Sequence, residues 1–209
     1  LPMELKIGVQ ELARALSRSQ GIVEKKSTMP ILSHVLLEAR KSNELAVSAT
    51  DLDISISGVH PAEVAREGAV TVSARHLFDI VKALPEPTVT LRKQANNYLE
   101  VRCGPAEFRI VGLAAEDFPS LPKFEKVPFV PLAPETLLGL GERTACAVAS
   151  DETRYNLNGV FFEPAGGAIR LVATDGHRLS LAEAPVEGDF RLKKGVILPR
   201  KGIAELRKL

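Results

Sequence analysis

The sequence is poor in cysteine and aromatic residues, has no tryptophan and carries almost no net charge. Two cysteines, Cys103 and Cys146, among 209 residues are too few for a disulfide framework or a four-cysteine metal site. Aromatic residues make up 5% of the chain, which gives little support for a surface that stacks single-stranded bases. The formal net charge of +1 provides no bulk attraction to polyanions. Any nucleic-acid binding therefore depends on where lysine and arginine are placed.

Long apolar runs and catalytic motifs are also missing. No run approaches the ~20 apolar residues that a membrane-spanning helix needs, and no signal-peptide pattern opens the chain, so we expect a soluble, cytoplasmic protein without membrane contact. The four histidines accompany no zinc-protease, nucleophile-elbow or phosphate-loop motif. We therefore predict a protein that is not an enzyme and that has no metal site and no cofactor. The hydrophobic content of 45% is enough to bury a core.

An internal repeat organises the chain. Val35-Leu36-Leu37-Glu38 recurs as Val160-Phe161-Phe162-Glu163 after 125 positions, and Thr50-Asp51 recurs as Thr174-Asp175 after 124. Ala74-Arg75-His76 corresponds to Pro199-Arg200-Lys201, again after 125 positions. The repeat predicts two similar domains, residues 3–123 and 129–209. Their junction carries four prolines, which disfavour regular pairing: Pro119, Pro122, Pro128 and Pro131.

Hydrophobic periodicity predicts helices and antiparallel strands in both copies. Helical spacing favours amphipathic helices over residues 9–20 and 74–84, with Ser73 as the N-cap of the second and basic residues opposite the apolar stripe. Alternation over residues 54–57, 89–92 and 99–102 indicates half-buried strands with Glu100 and Arg102 facing outward. In the second copy a helix should start at Pro134, and Gly166-Gly167 should form a hairpin turn. The predicted class is α+β, with helices packed on antiparallel sheet.

Six segments, in one order along the chain, resemble the bacterial DNA polymerase III beta subunit, the sliding-clamp family. They are residues 28–32 (TMPIL), 49–53 (ATDLD), 115–122 (AEDFPSLP), 155–159 (YNLNG), 173–179 (ATDGHRL) and 198–202 (LPRKG). The resemblance implies three similar clamp domains per subunit and two subunits closed head to tail into a ring whose helices line the hole. By this comparison the chain holds the first domain and a second domain without its last strands, and the third clamp domain is absent.

The resemblance also implies a function. Such a ring encircles double-stranded DNA without sequence specificity and tethers the replicative polymerase, which confers processivity. The implied partners are duplex DNA, DNA polymerase III alpha and other polymerases, the clamp loader and short clamp-binding peptide motifs, with a homodimer for the full-length chain. Family positions that contact DNA correspond to Lys26, Arg75, Tyr155, Arg200 and Lys201. Without the resemblance, basic residues opposite an apolar stripe are ordinarily a solvated surface.

The resemblance also predicts one wall of a peptide-binding pocket. The corresponding residues are Leu157, Thr174, Gly176, His177, Arg178 and Leu179. Taken alone, Asp175-Gly176-His177 is typical of a turn, and an acid-base or metal cluster of Asp175, His177 and Asp151 is the competing hypothesis. The repeat argues against that cluster because Asp51 in the first copy is followed by Leu52-Asp53 and no histidine.

The resemblance also marks the edge of the first domain that would dock on the other subunit of the ring. Pro105 and Glu107 lie near this edge, where some relatives carry basic residues.

Overall fold

The chain folds into two compact units, Leu1–Leu121 and Pro122–Leu209. The structure is a computed structural model, and it describes residues 3–24, 28–122, 127, 129–150, 154–187 and 194–208. For Tyr155 the structure describes the backbone and not the side chain. Each unit has a hydrophobic core of its own.

The first unit packs two helices against two five-stranded antiparallel sheets. Its elements in chain order are β1 (Glu4–Gly8), α1 (Val9–Ser19), β2 (His34–Arg40), β3 (Glu44–Thr50), β4 (Ser55–Pro61), β5 (Glu63–Arg66), β6 (Gly68–Ser73), α2 (Ala74–Lys82), β7 (Thr88–Lys93), β8 (Leu99–Cys103), β9 (Ala106–Ile110) and β10 (Gly112–Leu113). One sheet has the order β5-β1-β7-β8-β9 and the other the order β10-β6-β2-β3-β4.

A shorter repeat lies inside the first unit. The order β1-α1-β2-β3-β4 is followed by β6-α2-β7-β8-β9, and each half gives its first strand to the sheet of the other half, because β1 pairs with β7 and β6 pairs with β2. This exchange ties the two halves into one core. The 125-residue repeat was predicted from the sequence, and this shorter repeat was not.

Both predicted helices of the first unit form. The apolar stripes put Leu12 and Leu16 of α1, and Leu77 and Val81 of α2, in the core. The Ser73 hydroxyl caps α2 by accepting a hydrogen bond from the backbone N–H of His76 at 3.4 Å, as predicted. The opposite faces of both helices are polar and exposed to solvent.

One strand prediction was wrong. Glu100 was expected to face solvent, but its side chain is 3% exposed. Arg102 Nε donates to a Glu100 oxygen at 2.7 Å, and the Gln94 amide donates to the other oxygen. The arginine and the amide cover the carboxylate, and these hydrogen bonds offset the desolvation of its charge.

The second unit repeats part of the first. Its elements are α3 (Pro134–Ala145), β11 (Gly159–Pro164), β12 (Ala168–Thr174), β13 (Leu179–Pro185), β14 (Val196–Pro199) and α4 (Arg200–Leu206). The sheet order β13-β12-β11-β14 matches β4-β3-β2-β6, so the sequence repeat is a repeat of topology. Val160 and Phe162 are buried as Val35 and Leu37 are. The predicted α+β class is confirmed, and no second sheet occurs among the described residues of this unit.

The predicted turn and helix start of the second unit also form. Gly166 and Gly167 have φ values of 57° and 87° and join β11 to β12 in a two-residue hairpin, for which two positive φ angles are required. Pro134 is the first residue of α3, where its missing N–H leaves no helical hydrogen bond unmade. Leu140 of α3 and Ile203 of α4 pack into the core of this unit.

Candidate nucleic-acid and peptide sites

The exposed faces of α1 and α2 carry more cations than acids. Arg75 lies in the first turn of α2 with its side chain 78% exposed, 3.8 Å from Asp79. Lys82 lies 3.2 Å from the same carboxylate and 4.5 Å from the Phe78 ring centroid. On α1, Arg14 pairs with Glu11 at 3.3 Å. Each helix thus presents two arginine or lysine side chains for one acid, a small positive surplus on a solvated face.

The second unit places Arg200 at the position equivalent to Arg75. Arg200 is the first residue of α4 and is exposed, and no ion pair joins it to another described residue. Lys201 is half-buried beside it. The more C-terminal cations are paired, because Arg207 contacts Glu142 at 3.2 Å and Lys208 contacts Glu205 at 2.6 Å. Unlike Arg207 and Lys208, which follow the end of α4, Arg200 therefore has no described acid that compensates its charge.

Two of the predicted DNA-contacting residues have no described side chain. Lys26 lies outside the described residues, and Tyr155 is described only as part of the 3-10 turn Tyr155–Leu157. Arg75 is the second residue of α2 and Arg200 is the first residue of α4, so the two residues lie at corresponding helix starts, which is what the repeat predicted. The contact of these residues with DNA stays a prediction.

Five of the six predicted pocket residues lie in one tight turn between β12 and β13, which we call the Thr174–Leu179 turn. The Thr174 hydroxyl accepts from Gly176 N at 3.1 Å and donates to Arg178 O at 2.7 Å. The Asp175 carboxylate accepts from the backbone N–H groups of His177 and Arg178, both at 3.0 Å. These bonds fix the backbone, so the side chains of His177, Arg178 and Leu179 extend into solvent.

The same hydrogen bonds argue against a catalytic role for Asp175. The backbone N–H groups of Arg178 and His177, and then the Arg178 guanidinium, lower the pKa of Asp175 to about 2. A carboxylate engaged in this way stabilises the turn and is a poor proton acceptor near neutral pH. Among the described residues no group of three histidine, cysteine or acidic side chains is close enough to hold a metal ion. The third member of the hypothetical cluster, Asp151, lies outside the described residues.

Arg154 connects Leu157 with the Thr174–Leu179 turn. Its carbonyl oxygen accepts from the backbone N–H groups of Leu157 at 2.8 Å and Asn158 at 3.2 Å. Its guanidinium Nη1 lies 3.7 Å from the point that a β-carbon on Gly176 would occupy. The 3-10 turn that carries Leu157 is therefore adjacent to the predicted pocket wall. Arg154 was not predicted as a site residue, since no local pattern in the sequence marks it.

Exposed leucines make this surface apolar as well as cationic. Leu179 and Leu181 lie two residues apart on β13, on the same face of the strand, and both are exposed. Leu181 was not predicted as a site residue. Apolar side chains beside Arg154, His177 and Arg178 suit a peptide with hydrophobic anchors next to an acidic or polar residue.

Among the described residues, no helix has the length and hydrophobicity that a membrane span needs.

Two family models match the chain. DNA polymerase III beta subunit, N-terminal domain, matches residues 3–122, and DNA polymerase III beta subunit, central domain, matches residues 132–209. The beta sliding clamp of Vibrio cholerae is 36% identical over 208 residues, which cover 99% of this chain and 56% of that protein. The beta sliding clamp of Caulobacter vibrioides is 39% identical over 214 residues, covering 99% and 57%.

Solved structures agree. The DNA polymerase sliding clamp from Bacillus subtilis superposes with a TM-score of 0.94 at 29% identity, covering 100% of this chain and 57% of that one. The clamp from Caulobacter crescentus superposes with a TM-score of 0.91 at 37% identity, covering 99% and 57%. The chain thus spans little more than half the length of the relatives it matches. With family models over both units, the chain belongs to the DNA polymerase III beta subunit family, the bacterial sliding clamps.

Proposed function

We propose that the full-length protein is a sliding clamp without enzymatic activity, which encircles duplex DNA in the cytoplasm and tethers the replicative polymerase. The observation that carries the proposal is the repeated unit with an exposed arginine at the same helix start, Arg75 in one copy and Arg200 in the other. Three such units from each of two subunits would form the ring, which makes the functional protein a homodimer. The partners would be DNA polymerase III alpha, other polymerases and the clamp loader.

The charge distribution suits sliding. A good bidentate contact to a base edge discriminates by roughly 1–3 kcal/mol and would hold a ring at one sequence. Attraction to phosphates is independent of sequence, so the energy changes little from one register to the next. The exposed helix faces carry arginine and lysine in slight excess over acids, a pattern that attracts phosphates weakly and at many positions.

Partner capture is assigned to the surface formed by Leu157, Arg154 and the Thr174–Leu179 turn. Its exposed leucines would hold the apolar anchors of a clamp-binding peptide, and its cations would pair with an acidic residue beside them. The DNA polymerase III beta subunit from Pseudomonas aeruginosa, 36% identical to this chain, has been solved bound to griselimycin. A clamp of this family therefore accepts a ligand, in agreement with the proposal.

Retention on circular and linear DNA tests the enclosure mechanism. The full-length protein is loaded on a nicked circular plasmid, and retention is measured by gel filtration before and after the circle is cut at one site. A ring held by topology stays on the circle and is lost from free ends. Equal retention on both forms, or retention that depends on one DNA sequence, would refute enclosure and leave ordinary DNA binding as the explanation.

A further inference from the structure

A buried histidine of the first unit reaches the polar face of α1 from the sheet on which this helix packs. His60 is the penultimate residue of β4, and its side chain is only 7% exposed. It lies on the same face of the strand as Ile56, which packs against the core. Gly58 leaves room for the ring, since a β-carbon at that position would lie 3.0 Å from His60 Nε2. The imidazole is therefore fixed between its own strand and α1.

The partner of His60 is Glu11, the one acidic residue of α1. His60 Nδ1 lies 2.7 Å from Glu11 Oε1, and Nδ1 carries the proton because an ionised carboxylate can only accept. The other oxygen, Oε2, accepts from Arg14 at 3.3 Å. The hydrogen bond from His60 is the main cause that lowers the pKa of Glu11 below its ordinary value, while burial opposes the shift and the charges of Arg14 and Arg18 contribute less. The sheet therefore holds Glu11 more firmly than the arginine does.

The acidic residue of α2 has no such partner. Asp79 lies 3.8 Å from Arg75 and 3.2 Å from Lys82, and neither contact reaches a strand. Its side chain is 54% exposed, compared with 29% for Glu11. The two helices occupy equivalent places in the shorter repeat of the first unit, so the deeper position of Glu11 goes with its histidine partner.

We propose that His60 is a positioning residue for duplex binding, which holds Glu11 against the sheet and thereby leaves Arg14 for a DNA phosphate. The inference rests on the proposed function, in which the exposed face of α1 meets duplex DNA. A mobile acid on such a face would repel phosphates and compete with them for arginine. Because His60 anchors the carboxylate, it cannot follow Arg14 outward. Arg14, whose side chain is 61% exposed, then exchanges its 3.3 Å contact for a charge-assisted bond to phosphate.

Duplex binding by variants of the full-length protein tests this role, with fluorescence anisotropy measured over a salt series. H60L removes the donor and keeps an apolar side chain at the buried position. We expect it to weaken binding by about threefold, the effect of one exposed ion pair. H60N, whose amide nitrogen can replace Nδ1 as the donor, should weaken binding by less than about 1.5-fold. The double variant E11Q/H60L should bind as tightly as E11Q, because the acid that competes for Arg14 is absent from both.

D79N is the matched control for the loss of an acid. It removes one exposed carboxylate from the neighbouring helix, so its gain in affinity should be the same with and without H60L. R14A leaves the buried position unchanged. In the otherwise unmodified protein it should lower the slope of log affinity against log salt concentration by about 1, and in H60L by much less.

Three results would overturn the proposal: an unchanged affinity of H60L, a loss in H60L that E11Q does not restore, or an effect of R14A that is equal in both backgrounds. If H60L does not fold, a slope that R14A leaves unchanged in the otherwise unmodified protein overturns it as well. These measurements compare affinities and do not depend on DNA ends. The role of His60 can therefore fail while retention on circular DNA still supports the clamp.

Discussion

Leu52 and Gly176 occupy the same position in two copies of one turn. Leu52 has a φ of 81° and Gly176 a φ of 90°. The backbone N–H of each residue donates to the hydroxyl of the threonine two positions earlier, Thr50 or Thr174, at 3.1 Å in both copies. The aspartate between the threonine and this residue, Asp51 or Asp175, accepts from the two backbone N–H groups that follow. The first unit therefore holds a leucine in a conformation that favours glycine.

Replacing Leu52 with glycine should stabilise the first unit. The leucine side chain is 59% exposed, so little apolar burial is lost, while the strain of its positive φ is relieved. We expect L52G to raise the free energy of unfolding by about 1 kcal/mol, and G176A to lower that of the second unit by a similar amount. Urea unfolding followed through amide signals of each unit measures both. L52A keeps the strained φ, so its free energy of unfolding should stay close to that of the unmodified chain. If L52A were stabilised as much as L52G, removal of the exposed side chain would be the cause, and relief of strain would not.

At low pH, the stability of the second unit should depend on the protonation of Asp175. Its pKa is lowered from 3.8 to about 2 in the folded chain, so its contribution is complete above pH 3.8 and is lost as the pH falls through about 2. We expect the carboxyl carbon signal of Asp175 to titrate near pH 2. In D175N, the stability of the second unit should vary less between pH 4 and 2 than in the unmodified chain. Titration of the signal near pH 3.8 would show that the backbone N–H groups do not hold the carboxylate.

His34 should destabilise the first unit when it is protonated. Burial is the main cause that lowers its pKa below 6.5, and the positive charge of nearby His76 adds to the effect. Its Nδ1 lies 3.3 Å from the Thr71 hydroxyl, which donates to Leu113 O and therefore accepts from the ring. The contribution of neutral His34 to the stability of the first unit is therefore fully present above pH 6.5 and is lost progressively as the pH falls below that value.

The ring signals of His34, observed by NMR, measure this directly. We expect its midpoint below pH 6.5 in the unmodified chain and a higher midpoint in H76Q, where one opposing charge is gone. H177Q, which changes an exposed histidine of the other unit, should leave the midpoint unchanged. A midpoint at or above pH 6.5 would contradict the dominance of burial.

Local patterns in the sequence predicted local structure well. Ser73 caps α2 and Gly166-Gly167 closes a hairpin because each depends on a few adjacent residues. Glu100 could not be placed from alternation, since its burial depends on Gln94 and Arg102 folding over it. Arg154 was missed for the same reason, because its proximity to Gly176 arises only when two distant segments meet.

Arg75 and Arg200 should contribute to DNA binding through phosphates. In the full-length protein, R75A and R200A are each expected to weaken binding to duplexes of unrelated sequence by the same factor. Each should also reduce the slope of log affinity against log salt concentration by about 1, because one fewer counterion is released. Fluorescence anisotropy over a salt series measures both quantities. R207A is the matched control for R200A, since Arg207 is also exposed but already pairs with Glu142 at 3.2 Å, whereas Arg200 has no ion pair with another described residue. Its removal should change the slope less. An effect of R75A that differs between duplex sequences would indicate a base contact, which a sliding ring cannot keep.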